Sequence, residues 1–523
     1  MSQLLARFAA RSDDPRTGVL DDAGARAAAH SYASIVARAA AVSVALSSER
    51  RLEPGERVAL LVHPSAEFVS AFFGVLLAGG CVLVLSPLHP APETRYFCAD
   101  AGVRTALVSA PLRELGSALE GACEVRDLAS LSGSGPVGAV DAREIVRTSK
   151  LEESSPALQL YTSGTTGKPK GAVLTHGNIG IQQKLVGEAW GFSPDDVLLH
   201  ALPLHHMHGL AIALLTALGA GAATRMRSFD APAIWDEMAS ATVFMGVPAM
   251  YHRLFLAFDA ATDDQRARWA ANAKNLRLAT SGSAALPVTL AERWRAITGT
   301  IPLERFGMTE IGVGITNALH GPRFAGFVGL PLPPVETRIV GEGPEHADAE
   351  TGELWIRGPS VFAGYHQKEQ ETKKAFAPDP NGGDPWFRTG DTVTRDASLE
   401  GAPFKILGRT SVDILKSGGY KLSALEIEEV LREHPAIAEV AVVGVADEAW
   451  GERVVACIVV RPGESACTAA DLRAFARERL APYKVPKDFV FSAELPKNAL
   501  GKVVKPELVR RLQPQPPTPT SGS

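Results

Sequence analysis

Short apolar runs separated by longer helix-like stretches set the rhythm of the chain. "RVALLVH" (57–63), "CVLVLS" (81–86), "TALVSA" (105–110) and "ATVFMGVP" (241–248) are rich in β-branched residues and predict buried strands. Stretches such as "SYASIVARAAAVSVALSSE" (31–49) lie between them and predict helices. This alternation predicts an α/β fold with mostly parallel sheets. From about Gly352 the pattern changes to short strands, "ELWIRG", "WFRTGD" and "FKILGR", which predict a β-rich subdomain. After Arg409, "SALEIEEVLREH" predicts an amphipathic helix capped by Ser423, and "IAEVAVVGV" predicts the strand that follows. The expected organisation is a large N-terminal domain over 1–409, a small α+β C-terminal domain over 410–512, and a disordered Pro/Ser/Thr/Gly-rich tail over 513–523. "GSGPVGAV" (133–140) and "GEGPEHADAETG" (341–352) read as exposed loops.

The run "FVSAFFGVLLAGGCVLVL", Phe68 to Leu85, reaches the length of a membrane span. Gly79 and Gly80 divide it, and Pro87 and Pro90 follow. The expectation is a buried helix, a glycine turn and a parallel strand. The N-terminus lacks the long apolar core of a secretory signal, and Asp13 and Asp14 arrive too early for an acid-poor presequence. An ordinary first helix is expected there.

Composition narrows the classes. The 523 residues are 46% hydrophobic and 21% charged, as in a multi-lobed globular enzyme. A net charge of −5 argues against general nucleic-acid binding, so an anionic ligand needs local basic groups. The five cysteines (Cys81, Cys98, Cys123, Cys457, Cys467) are widely spaced without a C-x-x-C, which argues for reduced thiols and a cytoplasmic setting.

The candidate chemistry begins at "YTSGTTGKPKG", Tyr161 to Gly171. A Walker A loop needs four residues between its glycines, then Lys and a hydroxyl; here Gly164 and Gly167 are too close and Pro169 follows Lys168. The stretch still suits phosphate: small residues open the backbone N–H groups, Ser163, Thr165 and Thr166 carry hydroxyls, and Lys168 and Lys170 carry charge. By itself it is equally a surface hairpin.

Further marks follow it in order: "LPLHHMHG" (202–209), "SGSAALP" (281–287), "ERFGMTE" (304–310), "FRTGD" ending at Asp391, "GRTSVDILKSGGYKL" (408–422) and "LPKNALGKVVK" (495–505). Together with the first loop they resemble the adenylate-forming superfamily of acyl-CoA synthetases, peptide-synthetase adenylation domains and luciferases, across essentially the whole chain. The resemblance implies that a carboxylate attacks the α-phosphate of ATP to give an acyl-adenylate, and that coenzyme A then displaces AMP. No side-chain nucleophile is required, so catalysis rests on positioning and charge stabilisation.

The resemblance also implies roles. Thr162, Ser163, Gly164, Thr165, Thr166, Gly167 and Lys170 cradle the outer phosphates. Ser283, Ala284 and Ala285 wall the adenine, Phe306 stacks on it, and Glu304 and Arg305 belong to the same nucleotide motif. Thr309 touches the α-phosphate, and Glu310 with Thr166 holds Mg²⁺. Asp391 binds the ribose hydroxyls with Arg409 beside it. Lys502 bridges the acid and the α-phosphate as the catalytic lysine. The small domain is expected to rotate about Ser411–Asp413, so that Gly418 and Gly419 line the thiol tunnel. His205, His206 and His208 lack zinc-type partner spacing, and His206 is assigned to the acid's carboxylate instead.

Within the superfamily the likeness is to malonyl-CoA synthetases, through "ERFGMTEIG", "SGSAALP" and "GVPAMYHRL". A dicarboxylate needs a second anion site, for which arginine is apt. Arg253 matches a basic position of that group. Where bacterial members carry a second arginine this chain has Glu292, with Arg293 next; Arg293 is either the second contact or an exposed helix residue. Ser281, Met207 and Met308 complete the substrate set, the methionines bordering the α-carbon and favouring malonate over methylmalonate. Three alternatives stay open: a synthetase for a small, medium-chain or aromatic monocarboxylate, an adenylation enzyme loading a separate carrier protein, and an inactive nucleotide-binding homologue.

Overall fold

The apolar run at 68–85 is a helix, a turn and a strand. A computed structural model of the chain describes residues 1–23, 26–49, 52–131, 140–162, 169–341, 349–418, 420–447, 450–463, 467–498 and 502–513. In it Ser65 caps the helix Ala66–Leu77 by accepting from Phe68 N, and nearly every position of that helix is buried. Gly79 turns the chain at φ +88, and Cys81–Val84 enters a sheet parallel to Arg57–Leu61. No described helix is long and apolar enough to cross a membrane. The first helix, Gln3–Ala9, buries Leu4, Leu5 and Phe8, as expected of an ordinary structural helix.

The chain forms two compact units. The first comprises Met1–Leu286, Trp294–Thr337 and Ile356–Phe387; the second comprises Pro287–Arg293, Arg338–Trp355 and the chain from Arg388 onward. Within the first unit, seven described strands form one sheet with Gly364–Tyr365 and Glu124–Asp127 at its edges. Nine form another, in which Leu303–Met308, Leu278–Ser281, Val243–Gly246, Val197–His200 and Ala223–Met226 are neighbours and parallel. Antiparallel pairs occur toward the margins of both, so the expected mostly parallel α/β architecture holds. The later strands are present as well: Thr351–Arg357, Trp386–Arg395 and Phe404–Arg409.

In the second unit Ser423 caps the helix Ala424–Arg432, accepting from Glu426 N. Ile437–Asp447 and Gly451–Val460 pair antiparallel behind it, and Ile427, Leu431, Val442, Val454 and Ile458 share one core. Charge is buried here too. Lys505 Nζ donates to Asp413 Oδ1 at 2.5 Å and lies 2.7 Å from Glu428 Oε1. Burial opposes the lysine's charge, but Glu428 and Asp413 outweigh it and raise its pKa. Breaking a buried ion cluster by removing one partner strands the remaining charges. Lys505→Met is expected to cost about 3 kcal/mol, read as a lower urea midpoint; an unchanged midpoint contradicts this.

Candidate active site

Parallel strands present their carboxyl ends, and the loops that follow them, on one side of a sheet, which is where α/β folds bind ligands. Gly246 pairs with Ser281, and Ser281 with Glu304, so the segments after these strands leave side by side. This brings "SGSAALP" and "ERFGMTE" together. "LPLHHMHG" follows Val197–His200, two strands further along.

The packing there is tight. Ser283 has φ +69, a left-handed conformation that costs a non-glycine residue energy, and its Oγ lies 3.2 Å from His208 Nδ1. A Cβ on Gly282 would come within 2.5 Å of Arg305 Nε and Cζ, so glycine is required for the guanidinium to lie there. Met207 is buried, and His208–Leu215 continues as a fully buried π-helix. Ser281 is buried, whereas Ser283, Ala284 and Ala285 are exposed. On the strand Leu303–Met308, Glu304 accepts from Gly326 N at 2.8 Å, Phe306 is buried, and Met308 and Thr309 are half-buried.

Parallel partners share a face, and side chains alternate along a strand. Thr280 pairs with Leu303, so Thr280 and Arg305 lie on the same face. Continuing the register Phe244↔Leu199 by one residue puts His200 on that face as well. Arg305 is only 6% exposed, and its Nε and one Nη have no hydrogen-bond partner. Burial lowers its pKa to about 10, which still leaves it protonated at neutral pH.

Glu310 is buried and accepts from Tyr365 OH at 2.9 Å, while Lys170 Nζ lies 5.2 Å from the centre of the Tyr365 ring. Thr162 is half-buried at the end of its strand. Ser163, Gly164, Thr165, Thr166, Gly167 and Lys168 lie outside the described residues, as does Gly419. Arg253 is exposed on the helix Pro248–Ala260, its guanidinium 4.6 Å from the centre of the Phe229 ring.

The other expected residues belong to the second unit. Asp391 is buried and pairs in register with Arg409, with Arg409 Nε 3.1 Å from Asp391 Oδ1. Arg293 is half-buried. Gly418 takes φ +59 beside Trp450. Lys502 is exposed; its N–H donates to Asn498 Oδ1, and its carbonyl accepts from Asn498 N.

The sequence matches the AMP-binding enzyme family over residues 7–366 and the AMP-binding enzyme C-terminal domain over 426–502. The chain belongs to the AMP-binding enzyme family. It is 39% identical to the mitochondrial malonate–CoA ligase ACSF3 of Bos taurus, over 94% of this chain and 89% of that one. It is 38% identical to a malonate–CoA ligase of Arabidopsis thaliana, over 88% and 79%. Among solved structures it resembles ATP-bound MatB from Rhodopseudomonas palustris, with 32% identity, a TM-score of 0.84 and 98% of each chain covered. Such enzymes are AMP-forming acid–thiol ligases, and this chain is one.

In this AMP-binding enzyme the histidines of the site are neutral at physiological pH. Burial lowers His200 and His206 to about 4 and His205 to about 3, the latter two helped by neighbouring rings. His208 falls well below its usual value through burial and the charge of Arg305. Sequence reasoning missed His200 and Tyr365, which carry no motif of their own. It named Arg305 but not its isolation; the available signal was a charged pair, Glu304-Arg305, inside an otherwise apolar strand.

These depressed values make stability depend on pH. Between about 6.5 and about 4 the unfolded chain binds protons that the folded chain refuses, so stability rises with pH across that window and is lost as pH falls through it. At pH 5 each such histidine is expected to cost about 1–2 kcal/mol relative to pH 7.5. Thermal unfolding followed across this range checks it; a flat profile contradicts it.

Proposed function

We propose that this ligase joins malonate to coenzyme A through a malonyl-adenylate, releasing pyrophosphate and then AMP. The observation that carries the reading is similarity to malonate–CoA ligases at about 40% identity along nearly the full chain. A carboxylate oxygen of the acid attacks the α-phosphorus of ATP, the bond to the β-phosphate breaks, and pyrophosphate leaves. The thiolate of coenzyme A then attacks the acyl carbon, and AMP leaves with the bridging oxygen.

The proposed roles follow the resemblance. The segment Thr162–Lys170 holds the outer phosphates; Ser283, Ala284, Ala285 and Phe306 hold the adenine, beside Glu304; Asp391 and Arg409 hold the ribose. Thr309 contacts the α-phosphate, and His206, neutral and able to donate, contacts the reacting carboxylate. Glu310 is a buried hard-oxygen donor and suits Mg²⁺ in the usual manner of one protein carboxylate plus phosphate oxygens, with Thr166 as a second ligand. When bound, that ion offsets phosphate charge. Lys502 offsets the charge that builds as the two anions meet. Residues 410–512 turn about Ser411–Asp413 between the half-reactions, exchanging Lys502 for Gly418 and Gly419 at the reacting centre. Arg253, exposed on its helix, meets the acid's second carboxylate from the solvent side, with Arg293 a further candidate.

Met207 is buried, so a substituent on the α-carbon requires a bulky, packed side chain to give way. Acid-dependent pyrophosphate release with coenzyme A present is expected to be fastest with malonate, about tenfold slower with methylmalonate and at least about a hundredfold slower with acetate. Equal use of acetate and malonate contradicts the dicarboxylate reading.

A further inference from the structure

We propose that Tyr96 and Asp100, on the helix Ala91–Asp100, are positioning residues that clasp both stems of the hairpin carrying the phosphate-binding segment, and so set how tightly the outer phosphates of ATP are held. The inference rests on the reading above that Thr162–Lys170 holds those phosphates, and it adds the residues that place the segment.

The strands Pro156–Thr162 and Lys170–Thr175 pair antiparallel, with Thr162 opposite Lys170 and Tyr161 opposite Gly171. The chain therefore leaves the sheet and returns to it at adjacent points. One helix bonds to both. On the outgoing stem, Tyr161 OH donates to Asp100 Oδ2 at 2.7 Å and lies 3.2 Å from Phe97 O. The Tyr161 and Phe97 rings stack with centres 4.2 Å apart. On the returning stem, Tyr96 OH donates to Pro169 O at 3.1 Å. Tyr96 and Asp100 stand four residues apart, which makes them neighbours on one face of the helix. That spacing lets one face hold both stems.

Helix stability does not account for Asp100. It is the last residue of its helix, where a carboxylate opposes the helix dipole. Its side chain is only 15% exposed, and Lys368 Nζ stands off at 3.8 Å. A residue that works against its own element answers a demand from elsewhere. Here that demand is the Tyr161 hydroxyl. Burial first, then the Asp100 hydrogen bond, raise the Tyr161 pKa, so the hydroxyl stays protonated and keeps donating. Pro169 has a fixed φ and no backbone N–H, which leaves its carbonyl as the group by which the returning stem is held. Arranging a loop around a polyphosphate costs conformational entropy, and tying both of its ends lowers what binding must supply. AMP lacks the β- and γ-phosphates, so the clasp bears on ATP and pyrophosphate and not on AMP.

The test uses the full-length enzyme and calorimetric titration with ATP plus Mg²⁺, pyrophosphate plus Mg²⁺, and AMP, all without acid present. Tyr96→Phe removes one hydroxyl, and Asp100→Ala removes the other anchor. Each is expected to weaken ATP and pyrophosphate about tenfold and to leave AMP unchanged. Asp100→Asn, whose amide oxygen still accepts from Tyr161, is expected to recover most of the loss. A combined Thr165→Val and Thr166→Val enzyme tests the phosphate segment itself and is expected to weaken ATP but not AMP. If it does so while Tyr96→Phe and Asp100→Ala bind ATP as the wild type does, this inference alone is overturned. Equal losses for ATP and AMP in Tyr96→Phe also overturn it, because they mark a purely structural role. If Asp100→Ala does not fold, Tyr96→Phe with undiminished ATP affinity is sufficient to overturn it. Normal ATP binding by the combined threonine variant overturns the phosphate reading of the segment, and this inference with it.

Discussion

Two anions have to meet in a protein whose own charge is −5. The acid arrives as a carboxylate and must reach a phosphorus surrounded by negative oxygens. Bulk electrostatics do not help, so each negative group needs a local counter-charge or donor, and a buried counter-charge is costly until its anion arrives. Several features of the first unit bear on that constraint. Arg305 is buried without a partner, the histidines around it are held neutral, and Ser283 is held in a strained conformation against His208. A buried guanidinium without a hydrogen-bond partner and a non-glycine residue at positive φ each cost stability.

The fold makes this arrangement affordable by placing it at the ends of parallel strands. Strand interiors such as Val243–Gly246 and Leu278–Ser281 are wholly buried and anchor the loops rigidly. Gly282 gives up its side chain so that a guanidinium can lie against the backbone. The second unit applies the same economy differently. There the buried charges are already paired, Lys505 with Asp413 and Glu428, and Arg409 with Asp391.

Much of this was legible in the sequence, for physical reasons. Apolar runs of strand length bounded by glycine or proline have few alternatives to burial, so the strands at 57–61, 81–84, 105–108 and 243–246 were readable, as was the Ser423 cap. The motif order carried the family. What stayed hidden depends on three-dimensional neighbours. Nothing in "MYHRL" says that Arg253 lies against Phe229 in solvent, and nothing in "ERFGM" says that Arg305 lacks a partner. The Tyr365–Glu310 hydrogen bond joins residues 55 apart and has no local signature. The inclusion of 287–293 and 338–355 in the second unit is likewise a non-local property.

The central claim is that the acid is activated by direct bonding to the α-phosphate. Turnover of malonate labelled with ¹⁸O in its carboxylates, followed by mass spectrometry of the nucleotide and phosphate products, tests it most directly. The account predicts one ¹⁸O per turnover in AMP and none in pyrophosphate. Label in inorganic phosphate or pyrophosphate, with unlabelled nucleotide, would mean that the acid attacks a different phosphorus and would contradict it.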